Sequence, residues 1–229
     1  MSSSKVFATA SDAVADVPNG STLMIGGHLG AGVPEGLVRA LLDRNVTDLT
    51  CICGPWDGGA AGLQGASMLV AKGRARRLIT VAPSDAEGGG PATDLWRSEG
   101  IEVQVVSPGT LAERIRAAGA GLGGILLPLE DAGPAGDGLE TRTIEDAVYA
   151  LEAPLAADFA LLHARAADTL GNLVYRTSQR NWNPVMAVAA RTTIVEVEEV
   201  VLAGELDPEL VITPGVYVNR VVPVGTRTG

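Results

Sequence analysis

Thr22-Leu23-Met24-Ile25-Gly26-Gly27-His28-Leu29-Gly30-Ala31-Gly32-Val33-Pro34-Glu35-Gly36-Leu37-Val38-Arg39-Ala40-Leu41-Leu42 reads as a strand, a glycine-rich turn and a helix in succession. Residues 22–26 are a short apolar run ended by glycines. Residues 34–42 show helical periodicity, with Pro34 placed in the first turn, where its missing N–H costs nothing. Glycines in the turn permit positive φ and let backbone N–H groups approach a ligand, and the helix N-terminus behind them favours negative charge. The spacing is not Gly-x-Gly-x-x-Gly, the next strand ends near Cys53 with no acidic residue placed for a ribose, and there is no Walker lysine. The turn therefore argues against a nicotinamide site.

Outward from this stretch the same alternation continues. Strands are expected at 48–53, 77–82 and 101–106, and helices at 62–71, 92–98 and 110–118. Residues 158–164 and 192–197 read as further core strands. Alternation with short links predicts an α/β fold, a mostly parallel sheet flanked by helices on both faces, with ligands beyond the carboxyl ends of the strands. An irregular excursion at about 128–145, marked by Gly133, Pro134, Gly136, Asp137 and Gly138, predicts a loop or small β insertion, a candidate lid. Residues 1–229 are expected to form a single domain without internal repeat.

Composition excludes several functions. A formal net charge of −10 leaves no basic surface for a phosphate backbone, so nucleic acid is not an expected partner. An anionic ligand needs local cations; Arg74, Arg76 and Arg77 read either as such a group or as a solvated helix end, the plainer of the two. No run approaches the ~20 apolar residues of a membrane span, and the chain reads as cytoplasmic. Cys51 and Cys53 alternate on one strand and face the same side; with no Cys or His cluster nearby they read as small core hydrophobes, and no metal site is expected. His28 in the turn is a candidate general base, while His163, inside an apolar strand, reads as a satisfied core histidine. The densest polar cluster runs from Gly171 through Asn172, Tyr175, Arg176, Arg180 and Asn181 to Asn183 and Pro184, and predicts an interface or a ligand-facing loop.

Five stretches, taken together, resemble one family. They are the glycine turn ending Gly32-Val33-Pro34-Glu35, Gly109-Thr110-Leu111-Ala112-Glu113-Arg114-Ile115-Arg116, Gly171-Asn172-Leu173-Val174-Tyr175-Arg176, Asn183-Pro184-Val185-Met186-Ala187 and Thr213-Pro214-Gly215-Val216-Tyr217-Val218. In order and over nearly the whole chain they are similar to the A (alpha) subunit of family I 3-oxoacid CoA-transferases. The resemblance implies the CoA-transferase-like fold and a B chain of similar fold meeting this one around a shared site, as αβ or α2β2. It implies a coenzyme A thioester and a small acyl acid as substrates with no bound cofactor. It also implies a catalytic glutamate on the B chain that carries the acyl group and then CoA. On that reading Asn172, Tyr175, Arg176, Arg180, Asn181 and Asn183 are interface residues. Gly26, Gly27, His28, Gly32, Gly54, Trp56, Asp57, Ser84, Gly109 and Gly124 belong to loops around the CoA and substrate site.

The chain departs from the family pattern at its loops. Cys53-Gly54-Pro55-Trp56-Asp57 stands where the family has Ser-Asn-Asn-Ala-Gly, and Ala82-Pro83-Ser84-Asp85-Ala86 where it has Tyr-Val-Gly-Glu-Asn. Ser107-Pro108 replaces Pro-Gln, and 123–130 replaces a Pro-Ala-Phe-Tyr-Thr-Pro-Thr-Gly loop. Lost amide donors weaken oxyanion stabilisation by a few kcal/mol each, on the order of a hundredfold in rate. Glu87, before Gly88-Gly89-Gly90, is a candidate nucleophile at an unexpected place. Besides transfer, two further readings stand: a related complex that hydrolyses, cleaves or cyclises an acyl thioester, and a non-catalytic partner that stabilises the B chain.

Overall fold

The computed structural model describes residues 4–55, 63–81, 96–97, 100–130 and 138–224. Its elements run α1 (Ala10–Ala13), β1 (Thr22–Ile25), α2 (Glu35–Asp43), β2 (Leu49–Cys53), α3 (Ala66–Ala71), β3 (Ala75–Val81), β4 (Glu102–Val106) and α4 (Pro108–Gly119). There follow β5 (Ile125–Pro128), β6 (Thr141–Ile144), β7 (Ala147–Glu152), β8 (Ala157–Asp168), β9 (Leu173–Val174), α5 (Asn183–Ala187), β10 (Ala190–Val201) and β11 (Arg220–Pro223).

The main sheet has the order β11-β10-β8-β1-β2-β3-β4, with every pair along it parallel and β9 added antiparallel to β8. Strands buried on both faces read as nearly continuous apolar runs, and all five residues of β2 are buried. One face packs Leu23, Ile25, Leu161 and Ile194 against Leu37 and Leu41 of α2 and Leu69 of α3. The other packs Met24, Leu162 and Val195 against Leu111 and Ile115 of α4 and Met186 of α5. Cys51 and Cys53 both lie in the first of these clusters, where burial pushes their thiols up, that of Cys53 to about 11.

From β1 the chain steps outward through β2, β3 and β4, then returns to place β8 on β1's other side and steps outward again through β10 and β11. The order reverses between β1 and β8. In an open parallel sheet that reversal opens a crevice at the carboxyl ends, because successive connections leave in opposite directions. β8 also overshoots: Ile25 pairs with Leu161, yet β8 runs on to Asp168 with β10 beside it to Val201.

The expected excursion is a small three-stranded antiparallel sheet, β5-β7-β6, with 131–137 outside the described residues. Its strands belong to that sheet and not to the carboxyl rim of the main one. The helix expected at 62–71 is shorter, because 63–65 form a bend and turn ending at Gly65, whose φ of +53° precedes the first helical residue. The helix expected at 92–98 falls mostly outside the described residues.

Candidate functional site

The turn after β1 fills the crevice. Gly26 N–H donates to Leu161 O at 3.0 Å, seating the turn on β8. His28 and Ala31 exchange both backbone hydrogen bonds at 3.0 Å across Leu29 and Gly30, whose φ values of +47° and +87° make a type I′ turn. Gly32 has φ +68°, and a Cβ there would stand 2.5 Å from Gln179 O. Gly27 is equally constrained, with φ +114° and Val33 Cγ2 2.5 Å from the place of a Cβ.

Asn183 holds this turn from behind. It is fully buried at the start of α5. Its Nδ2 donates to Gly32 O at 3.2 Å and Gln179 O at 2.7 Å, and its Oδ1 accepts His163 N–H at 3.2 Å. Asn181 Nδ2 donates to Ala31 O at 3.0 Å, adding a second tie to the same turn. Trp182 braces the neighbouring strand end: a Cβ on Gly54 would lie 2.1 Å from its Nε1, and Gly54 O accepts from Thr80 Oγ1 at 3.0 Å.

The polar cluster is therefore mainly an internal strap. The expectation of an interface role is corrected for Asn183, whose side chain is enclosed within its own chain. Asn172 bonds to Asp168 and Gly215, and Tyr175 O–H pairs with Thr213 Oγ1 at 2.8 Å, so these too are engaged internally. Arg176, paired with Glu198, and Arg180 are exposed.

Between the turn and the end of β2 lies a slot of about 30 Å³ lined by Gly26, Gly27, His28, Gly54, Pro55 and Gln64. It has room for a water molecule or two, so the described residues supply a wall of a site and not an enclosure for an acyl thioester. Gly26, Gly27, His28 and Gly54 come together here as expected from their positions. Trp56, Asp57, Ser84 and Glu87 lie outside the described residues. Gly109 sits in the first turn of α4 beyond the carboxyl end of β4, at the sheet's far edge. Gly124 is not at the site: α4 leads away from the rim, and Gly124 packs on Leu151 and on Glu152 O, with a Cβ 3.0 and 3.1 Å from them. Arg74, Arg76 and Arg77 likewise line neither the slot nor the cleft beyond the turn. They flank the amino end of β3, where Arg76 Nε donates to Asp48 O at 3.1 Å and Arg77 meets Glu102 at 3.2 Å.

On the other side of the turn a wider cleft of about 840 Å³ is lined by Gly30, Gly32, Arg39, His163, Gln179, Glu196 and Glu198. His163 is a wall of this cleft and not a satisfied core residue: its buried Nδ1 has no hydrogen-bond partner among the described residues. Burial holds its imidazole below the usual range.

Glu196, register partner of His163 on β10, is not legible as a site residue in the sequence because nothing local sets it apart from Glu198 and Glu199 on the same strand. Its carboxylate accepts Leu37 N–H at 3.0 Å, and a Cβ on Gly36 would lie 2.7 Å from its Oε2. The helix N-terminus expected to favour a ligand's negative charge is thus met by the chain's own carboxylate. Burial nonetheless pushes Glu196 up from 4.5 to about 7, outweighing the bonds from Leu37 and Gly36. A proton held more tightly in the folded state stabilises fully below the unfolded value, and that stability is lost as pH rises through the folded one. Glu196→Gln keeps an acceptor and removes the buried charge. It should raise unfolding free energy by about 1–3 kcal/mol at about pH 8 and little at about pH 5, read by denaturant unfolding. Equal effects at both pH values would contradict this.

The coenzyme A transferase family model matches residues 7–223. The A-type chain of the 3-oxoadipate CoA-transferase of Pseudomonas putida is 43% identical over 96% of this chain and 94% of its own. The alpha chain of the acetate CoA-transferase of Escherichia coli is 40% identical over 93% and 94%. Among solved structures, the decarboxylase AibA/AibB superposes with a TM-score of 0.78 at 27% identity, covering 99% of this chain and 87% of that one.

Proposed function

Since the chain belongs to the coenzyme A transferase family, we propose that it is the A-type subunit of a two-chain enzyme that moves CoA between small carboxylic or 3-oxo acids in the cytoplasm. The coenzyme A thioester is its substrate, no cofactor is bound, and the glutamate that carries the acyl group and then CoA resides on the B chain. The observation that carries this reading is the family match from residue 7 to 223, supported by near full-length relatives that are named as the A or alpha chains of their enzymes. The shallow slot beside the glycine turn fits a chain that supplies one side of a shared site. In this role Gly26, Gly27, His28 and Gly54 face the acyl group, and Asn183 and Trp182 keep the turn and the β2 end from moving. Pre-organisation of this kind lowers the barrier because the wall is already in place when charge develops.

A second reading has specific support. The decarboxylase shares the fold at 27% identity, and this chain carries Cys53-Gly54-Pro55 where the family pattern has amide side chains after the second strand. The reaction on this scaffold is then cleavage of a bond within the substrate, such as loss of CO2, without transfer of CoA to an acceptor acid.

The two are separated with both chains present. Incubation with an acyl-CoA and borohydride should reduce the thioester on the B-chain glutamate to the side-chain alcohol with release of CoA, with label exchange only when an acceptor acid is supplied. Turnover without acceptor acid would favour the second reading. Full activity of the B chain alone would leave this chain a stabilising partner and overturn both.

A further inference from the structure

The longest strands end in a tip that neither the slot nor the wide cleft includes. Thr169 N–H donates to Val201 O at 3.0 Å, Leu173 N–H to Thr213 O at 2.9 Å and Glu205 N–H to Leu202 O at 3.1 Å, so the segments after β8, β10 and β9 close into one surface. The tip is internally braced. Buried Asp168 accepts Leu170 N–H at 3.0 Å, Asn172 N–H at 2.9 Å and Asn172 Nδ2 at 2.7 Å, while Asn172 Oδ1 accepts Gly215 N–H at 2.8 Å. On it stand Leu170, Leu202, Leu210, Val216 and Tyr217, all exposed, Val216 by 80% and Leu202 by 65%. Apolar side chains grouped on an ordered surface and rimmed by polar ones mark a protein contact, because leaving them in water forfeits their burial energy.

Charge argues against a second copy of this chain as what covers them. Between Arg191 and Arg220 the sequence has no Lys or Arg but carries Glu196, Glu198, Glu199, Glu205, Asp207 and Glu209, and Lys5, which reaches the tip, is half-buried with its Nζ donating to Gly215 O at 2.7 Å. Glu199, Glu205, Asp207 and Glu209 are exposed around the apolar group. A two-fold contact between copies of this chain would set that rim against itself, since such an interface presents the same patch from both sides. A different chain with an apolar centre and a Lys- and Arg-bearing rim avoids the repulsion.

We infer that the 168–173 and 199–217 tip is the docking surface for the B-type chain, which meets it with an apolar face bordered by cations. This inference rests on the two-chain reading above. Contact there holds the overshooting ends of β8 and β10 against the partner and leaves the slot at the end of β1 free to face it.

The test is affinity for the B-type chain encoded with this one, by titration calorimetry and by light scattering of the purified complex. Leu202→Asp with Val216→Asp should weaken binding by about tenfold or more, since apolar anchors at a contact centre dominate its affinity. Glu205→Lys with Glu209→Lys should slow association and flatten its salt dependence. Leu126→Asp with Val148→Asp, at exposed positions of the antiparallel sheet, should leave binding unchanged. All six positions are exposed, so circular dichroism should match wild type. Unchanged binding of the folded tip variants, or a homodimer of wild type that Leu202→Asp with Val216→Asp dissociates, would overturn the docking surface. Absence of any wild-type complex would instead overturn the two-chain reading, and the docking surface with it.

Discussion

Asn183→Ala should lower unfolding free energy by about 2–4 kcal/mol and cut activity of the two-chain enzyme far more than it cuts its folded fraction. One side chain serves three backbone groups, Gly32 O, Gln179 O and His163 N–H, and it is fully buried. Removing it leaves these groups without a partner in a place too tight for free exchange with solvent, so the full desolvation cost is felt. The site is also shaped by it: a Cβ on Gly26 would stand 1.9 Å from Asn183 Oδ1, so only a bare backbone admits the amide, and Gly32 meets Gln179 O on the same strap. Without the amide the turn loses its rear wall and its type I′ geometry is no longer enforced. Asn181→Ala, by contrast, removes bonds to Ala31 O and Ser178 O at a partly exposed position where water substitutes, and should cost under about 1 kcal/mol. Denaturant unfolding of both variants, with turnover measured at saturating substrate, decides between them. Equal stability losses would show that burial is not what makes Asn183 matter.

The same residue shows what a sequence discloses and what it withholds. The strand, turn and helix at 22–42 are legible because each obeys a local rule: an apolar run for a buried strand, glycines for positive φ, a proline where a helix begins. The alternation that follows is legible for the same reason, and parallel pairing comes from it through crossover handedness. The small β excursion is visible as a break in that rhythm. What the turn is held by is not visible, since Asn183 lies far along the chain and its polarity reads equally as a surface feature. Glu196 is hidden in another way: as one of three glutamates on β10 it carries no local signal that a helix N-terminus will stand over it. His163 reads as core in the sequence, and Leu162, Ala164 and Ala167 around it are core, yet β1 leaves β8 at Leu161 and His163 lines the wide cleft beyond that point; strand overshoot is a property of pairing and not of composition. Gly124 falls at the rim when its loop is aligned with the family pattern, but α4 runs along one face of the sheet before the chain reaches it, and it packs on β7 instead.

These corrections narrow the place where specificity resides. The relatives named for 3-oxoadipate and for acetate are 43% and 40% identical to this chain, so overall similarity does not choose a substrate. The turn and its strap are backbone-built and would serve either. On the reading proposed above, selection falls to the groups beside the slot, of which Gly54, Pro55, His28 and Gln64 are described. The absence of an amide side chain at the end of β2 means that Trp182 fits against bare backbone at Gly54. A side chain there would displace the indole.

Glu152→Ala should cost about 3–5 kcal/mol, roughly 10 °C in Tm, while Arg114→Met with Glu152→Leu should fall within about 1–2 kcal/mol of wild type. Arg114 on α4 and Glu152 on β7 form an ion pair at 3.3 Å with only 9% and 4% of their side chains exposed. Arg114 Nε also donates to Ala153 O at 2.8 Å, and its own carbonyl accepts Leu155 N–H at 2.9 Å. These bonds tie the end of the antiparallel sheet and the link into β8 to α4. The pair is not saturated, since Glu152 Oε1 and Arg114 Nη1 lack hydrogen-bond partners among the described residues. Desolvating two charges therefore consumes most of what their attraction returns, which is why an apolar replacement of both is nearly neutral. Removing the carboxylate alone strands a guanidinium in the interior, and the neighbouring cation Arg77 adds repulsion to that loss. Chemical denaturation of the single and double variants tests this as a cycle. A Glu152→Ala loss below about 1 kcal/mol, or a double variant as unstable as the single, would show that the junction is held by packing of Ala150 and Leu111 and not by the pair.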